Sequence, residues 1–291
     1  MQLILNLNFT IIAIVSAFFA AMTNIFAKIL LKDVKGYNIM GLSFLMVGST
    51  LLIFSPIFYK FNPSWVSIGL LYGIGILDAA ANYYYFRSFE QAEVSVATPL
   101  LALAPIITFI GAFLFLGTKT SPINFILAVA IMAGIVFLSS DKTSSIKDLK
   151  QIHSHSLFAP FMASILFGLS SIPSKALLSN LNAINAPTLY MFRATIIGMI
   201  SFIFMRPNLQ ELGLKHYKLI WLQGLLAIMT WTSLYYALSK GNPGITMTLA
   251  NTTPAFAIVL GALFLGEKIT GRKVVSVLLV LSFSALMMFV K

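Results

Sequence analysis

Two ionisable residues stand in the middle of long apolar runs. Asp78 follows Ile74-Gly75-Ile76-Leu77, and Arg193 sits in Met191-Phe192-Arg193-Ala194. A carboxylate at the centre of a bilayer costs about 2.5–3.5 kcal/mol on insertion scales, so Asp78 should face protein or water. There it could meet a substrate ammonium, take up a proton, or pair with a neighbour. A guanidinium stays charged and needs a partner or a wet cavity. Arg193 could therefore bind a substrate carboxylate or phosphate, or pair with Asp78.

Further polar and aromatic groups share the helical faces of these runs. Asp78, Asn82 and Tyr85 fall at i, i+4 and i+7, on one stripe, and Trp231, Tyr235 and Leu238 repeat that spacing. Aromatic walls with a few polar groups suit a small-molecule pocket. Tyr and Trp also gather at membrane interfaces, which is the plainer account of Tyr83, Tyr84 and Tyr236. Asn251-Thr252-Thr253-Pro254 interrupts another apolar run. Its proline frees the Ala250 carbonyl, and the polar neighbours can satisfy it or reach a substrate. Pro99 and Pro105 disturb an earlier run in the same way, so Pro99, Pro105 and Pro254 are candidate kink sites. Lys28 and Lys175 either snorkel to the interface or make gate contacts. His153 and His155 lie in a polar stretch with no other ligand cluster, so no metal is expected. There is no cysteine, no HExxH and no paired carboxylate constellation, so neither an enzyme nor a cofactor is expected.

The elements that position these groups follow from composition. Of 291 residues, 59% are apolar and 9% charged. A soluble domain carries roughly 25% charged residues, so the solvent of this chain is mainly lipid. The formal charge of +11 is spread singly at the ends of apolar runs, which suits lipid headgroups rather than nucleic acid. Continuous apolar runs of about twenty residues predict helices rather than the alternating strands of a barrel. The spans are read as 9–31, 37–58, 64–88, 94–117, 121–140, 157–178, 185–205, 217–239, 244–266 and 272–290. Met1 to Phe9 has no positive n-region, so the first span is expected to be retained.

The polar stretch 141–156 divides the chain into units 1–140 and 157–291, and the two resemble each other. Phe115-Leu116-Gly117-Thr118-Lys119 matches Phe264-Leu265-Gly266-Glu267-Lys268 at an offset of 149, which also places Pro105 on Pro254 and Gly75 on Gly224. Asn24 to Leu31 resembles Ser171 to Leu178 at an offset of 147, which sets Lys28 on Lys175. Five spans is an odd number, so the second copy should enter the membrane from the opposite side. Such an inverted repeat is a common basis of alternating access.

At these residues the chain resembles the drug/metabolite transporter superfamily, specifically the EamA-type permeases. The second unit carries Tyr235-Tyr236-Ala237-Leu238, Gly241-Asn242, Thr253-Pro254 and Leu265-Gly266-Glu267. The first carries Phe86-Arg87-Ser88-Phe89, Ala104-Pro105 and Leu116-Gly117-Thr118, a weaker match that lacks the Glu and the Thr. The resemblance covers essentially the whole chain. It implies an all-α fold of ten spans and a cavity lined by spans 3, 4, 8 and 9, with contributions from 1, 2, 6 and 7. It also implies transport, often export, of a small metabolite.

Lys and Arg are unevenly divided between the two sides. Thirteen fall on the side of the loops that follow odd-numbered spans and five on the other, with Arg193 between them. The positive-inside rule then puts both termini outside, whereas the resemblance implies cytoplasmic termini. The function expected is secondary transport of an amino-acid-like or other amphipathic solute across the cell (inner) membrane. Protons are a candidate coupling ion, and the protein is expected to be a monomer or homodimer. A flippase for lipid-linked precursors and a non-transporting assembly protein are the competing expectations.

Overall fold

The structure is a computed structural model that describes residues 9–31, 33–91, 100–101, 103–139, 154–266 and 270–289. In chain order the helices are α1 (Phe9–Leu30), α2 (Gly36–Phe58), α3 (Trp65–Gln91), α4 (Ala104–Leu116), α5 (Pro122–Ser139), α6 (Ser154–Lys175), α7 (Ala186–Met205), α8 (Leu214–Lys240), α9 (Pro243–Ala250), α10 (Thr253–Leu265) and α11 (Gly271–Phe289). The only β pairing among the described residues is an isolated bridge between Phe61 and Ile184. Among the described residues seven stretches are long and apolar enough to cross a membrane, and Ala104–Leu116 and Pro122–Phe137 are shorter apolar helices.

The outside of the bundle is apolar and much of its inside is small or polar. Ile53, Ile57, Phe115 and Phe204 are exposed, while Thr108, Ser164, Ser171, Thr246 and Thr248 are buried. Lipid tails are as apolar as leucine, so helices associate through close packing and hydrogen bonds rather than by burying large side chains. Thr248 donates to the Gly244 carbonyl one turn back, and Thr108 lies 3.0 Å from Ser171 on α6.

The two units do not pack as separate bodies. The principal helix pairs are α2 with α7, α1 with α8, α3 with α6, α5 with α11, α4 with α6 and α9, α1 with α9 and α10, α3 with α7 and α2 with α8, where α9 and α10 together are the counterpart of α4. Exchanging the units maps this set onto itself, so the halves meet as an isologous pair does. The α2–α7 crossing is tight because both faces are glycine. A Cβ on Gly48 would lie 2.5 Å from Thr195 Oγ1, and one on Gly198 would lie 2.8 Å from the Leu45 backbone nitrogen.

Loops pair across the units at both ends of this crossing. At one end the Asn62 amide donates to the Ala183 carbonyl, and Asn185 Nδ2 donates to the carbonyl of Phe58, the last residue of α2. At the other end the Asn208 amide donates to Asn38 Oδ1 near the start of α2. The C-terminus of α2 therefore lies beside the N-terminus of α7 and vice versa, so these counterpart helices run antiparallel.

Several expected elements shift. The expected span 244–266 is two helices, with a break at Asn251-Thr252, because Pro254 has no amide for the Ala250 carbonyl. Thr253 Oγ1 donates to that carbonyl at 2.8 Å instead. Pro254 is thus the second residue of α10, a position where its missing donor costs nothing. Pro105 holds the same place in α4, and the preceding Leu103 and Thr252 share nearly the same backbone angles. The two prolines start helices rather than kinking continuous ones. Both helices end at a glycine in the left-handed region, Gly117 at φ 62° and Gly266 at φ 65°. The connecting stretch expected at 141–156 is shorter at its end, since α6 begins at Ser154. Pro99, His153 and Glu267 lie outside the described residues, as do the side chains of Lys28 and His155.

Candidate functional site

Asp78 and Arg193 meet. They stand near the middle of the candidate spans Trp65–Ser88 and Ala186–Met205, on α3 and α7, which pack against each other. Arg193 Nε donates to Asp78 Oδ2, and both side chains are essentially sealed from the surface, at 0% and 2% exposure. Two opposite charges in one buried site offset part of each other's desolvation, so each lowers the cost of burying the other.

Aromatic rings enclose the guanidinium. Its Cζ lies 3.7 Å from the ring centroid of Trp231 on α8 and 5.9 Å from that of Tyr190 on α7. Tyr190 and Trp231 stack with 21° between their planes, and Tyr235 lies 5.9 Å from Trp231 and 6.5 Å from Tyr190, centroid to centroid. Trp231 and Tyr235 reach this place because four residues separate them on one face of α8. A desolvated cation over an indole is stabilised by about 2 kcal/mol or more.

The pair leaves much of its capacity unused. Asp78 Oδ1, Arg193 Nη1, Arg193 Nη2 and the Tyr190 hydroxyl are buried without a hydrogen-bond partner. A carboxylate and a guanidinium make their strongest contact through two parallel bonds. Here one bond joins them, which leaves two nitrogens at one end of the fork and one carboxylate oxygen available to something else.

The other sequence candidates are placed differently. Asn82 Nδ2 donates to the Asp78 carbonyl on its own helix. The Tyr85 ring packs edge-on against Phe86 and against Phe167 of α6. Asn251 Nδ2 donates to the Met247 carbonyl and Thr252 Oγ1 to that of Leu249, so both are engaged at the helix break. Lys175 is a hydrogen-bonding residue rather than a snorkelling one. Its Nζ donates to the carbonyls of Leu238, Ser239 and Gly241 at 2.8, 3.3 and 2.8 Å, closing the C-terminal end of α8. Just beyond it Ala176–Asn180 forms a π turn. Tyr190 was not among the residues singled out by sequence, although it lies three positions before Arg193 on the same face of α7.

The site is asymmetric on a symmetric scaffold. At the offset of 149, Asp78 corresponds to Ala227 and Trp231 to Asn82, so neither has a chemical counterpart in the other unit. Among the described residues there is no group of three or more His, Cys, Asp or Glu that could hold a metal.

The model of the EamA-like transporter family matches the chain twice, over residues 8–140 and 155–289. The chain belongs to the EamA-like transporter family. With seven candidate spans among its described residues, this transporter is a multi-pass membrane protein. Its family is one of membrane transporters of small solutes within the drug/metabolite transporters. A solved crystal structure of a protein 16% identical to it superposes with a TM-score of 0.75 over 95% of each chain, which shows a shared fold. No curated protein matches the transporter.

Proposed function

We propose that the chain is a secondary transporter, an exporter, of an amino-acid-like amphipathic metabolite in the cell (inner) membrane. The observation that carries this reading is the buried Asp78–Arg193 pair with its unpartnered atoms and its wall of Tyr190, Trp231 and Tyr235. A merely structural pair would be expected to satisfy its own donors and acceptors, because an unsatisfied charged group in a low-dielectric interior is costly. A solute that brings a charged group and an apolar body would complete this site. The export direction rests on the family resemblance.

The transport cycle is alternating access in a ten-span body of inverted repeats. In this reading α4, α5 and α8 also cross the membrane, and α9 with α10 forms one broken span. The antiparallel run of α2 and α7 favours inversion, as does the exchange of helix pairs between units. The site faces one side, then the other, as the units rock about it.

Reconstituted protein should move labelled apolar amino acids across proteoliposome membranes, and Arg193→Gln should abolish that movement while the protein remains folded. A broad metabolite panel with no transport, with or without a pH gradient, would remove the reading.

A further inference from the structure

The unused atoms of the Asp78–Arg193 pair point in chemical kind to one class of solute. On the arginine side they are two nitrogens at the end of a planar fork, donors only, suited to a carboxylate. On the aspartate side the unused atom is Oδ1, an acceptor only, suited to an ammonium with its three donors. The Nε–Oδ2 contact need not break for either to bind. The Tyr190 hydroxyl, also unpartnered, adds a group that can donate or accept.

Charge counting narrows the choice further. The pair is neutral as a whole. A solute with only a carboxylate would leave two carboxylates around one guanidinium, a net negative site with no exposure to water. A solute with only an ammonium would leave a net positive one. A zwitterion adds one charge of each sign and keeps the buried site neutral, which is the condition for affordable burial of charges. Among the described residues the titratable groups around the pair are Tyr190 and Tyr235, and neither supplies a compensating positive charge.

We infer that Asp78 is the residue that sets the charge class of the solute, selecting zwitterions over simple acids and simple amines, with the Nη1/Nη2 end of Arg193 taking the carboxylate and Asp78 Oδ1 the ammonium. This inference rests on the transport reading above and refines its site. The sealed pair is reached when the helices part during the transport motion. The aromatic wall takes the solute's apolar side, so phenylalanine is a suitable probe of the zwitterionic class.

The test uses Trp231 as its own reporter, because it lies against the guanidinium. With Trp65 and Trp221 changed to Phe, the fluorescence of Trp231 is titrated with phenylalanine, 3-phenylpropanoate and phenethylamine in full-length reconstituted protein. Phenylalanine should bind at least about a hundredfold more tightly than either single-charge analogue, since each analogue leaves a buried charge uncompensated. Asp78→Asn should reverse the order, so that 3-phenylpropanoate binds more tightly than phenylalanine. If Asp78→Asn does not fold, the double variant Asp78→Asn with Arg193→Gln, which buries no net charge, should show no preference among the three. Equal binding of acid, amine and zwitterion to the wild-type site would overturn the inference. So would no response to any probe at millimolar concentration. Proteoliposome transport that ignores solute charge would sink the inference and leave the transport reading standing, whereas no transport of any solute would sink the transport reading itself.

Discussion

Arg193 lies over the indole of Trp231, with Cζ 3.7 Å from the ring centroid, while its Nε is held by Asp78. The guanidinium is thus fixed in place by a ring from α8 and a carboxylate from α3. Its orientation depends on three helices at once, and any motion of α8 against α3 and α7 must act on it.

Removing the ring should loosen this arrangement. Trp231→Leu is expected to destabilise the folded protein by about 2 kcal/mol, the scale of a desolvated cation–π contact. Trp231→Phe keeps an aromatic face and should cost less than half as much. Thermal unfolding in detergent distinguishes the two, and equal losses would count against the stacking account.

The fork matters beyond its charge. Arg193→Lys keeps a cation near Asp78 but presents a point charge with no planar end and a poorer stack on Trp231. The variant should fold, and its proteoliposome transport should fall at least about tenfold, a loss of about 1.4 kcal/mol. Wild-type rates in this variant would show that the unused nitrogens of Arg193 have no part in transport.

Lys175 holds the end of α8 through the carbonyls of Leu238, Ser239 and Gly241. These carbonyls have no partner within the helix, and a cation at a helix C-terminus also meets the negative end of the macrodipole. Lys175→Met should therefore cost about 1–3 kcal/mol in stability. Its thermal midpoint should fall clearly below that of the wild type, and Lys175→Arg should recover part of the loss. A midpoint unchanged in the Met variant would assign Lys175 to the membrane interface after all.

The crossing of α2 and α7 tolerates no side chain at Gly198, where a Cβ would lie 2.8 Å from the Leu45 backbone nitrogen. Backbone cannot swing aside as a side chain can, so the helices must move apart. Gly198→Ala should destabilise by about 1–3 kcal/mol, as overpacking does. Gly69→Ala, where nothing lies within 4 Å of the added Cβ, is the matched control and should be near neutral. Helix propensity alone favours alanine over glycine, so comparable losses in both variants would mean that the close crossing is not their cause.

The sequence by itself determined that the chain is helical and lipid-solvated, because 9% charged residues cannot cover a water-facing surface. It also determined the duplication, because Phe115 to Lys119 and Phe264 to Lys268 repeat in register with the paired prolines. It marked Asp78 and Arg193, since an ionisable group in an apolar run is conspicuous, and it put Trp231 and Tyr235 on one face. All of these are relations of a residue to its own helix, and period and composition report such relations directly. Only the tertiary structure decided that Arg193 donates to Asp78, 115 residues away, and that Tyr190 joins them. It also turned Lys175 onto the end of α8, while Asn82, Asn251 and Thr252 donate to carbonyls of their own chain segment. Those outcomes depend on how the units interleave, α3 against α6 and α7, α8 against α1 and α7. Close crossings such as Gly48 and Gly198 set that geometry, and a one-dimensional pattern carries no record of which helix lies across from which.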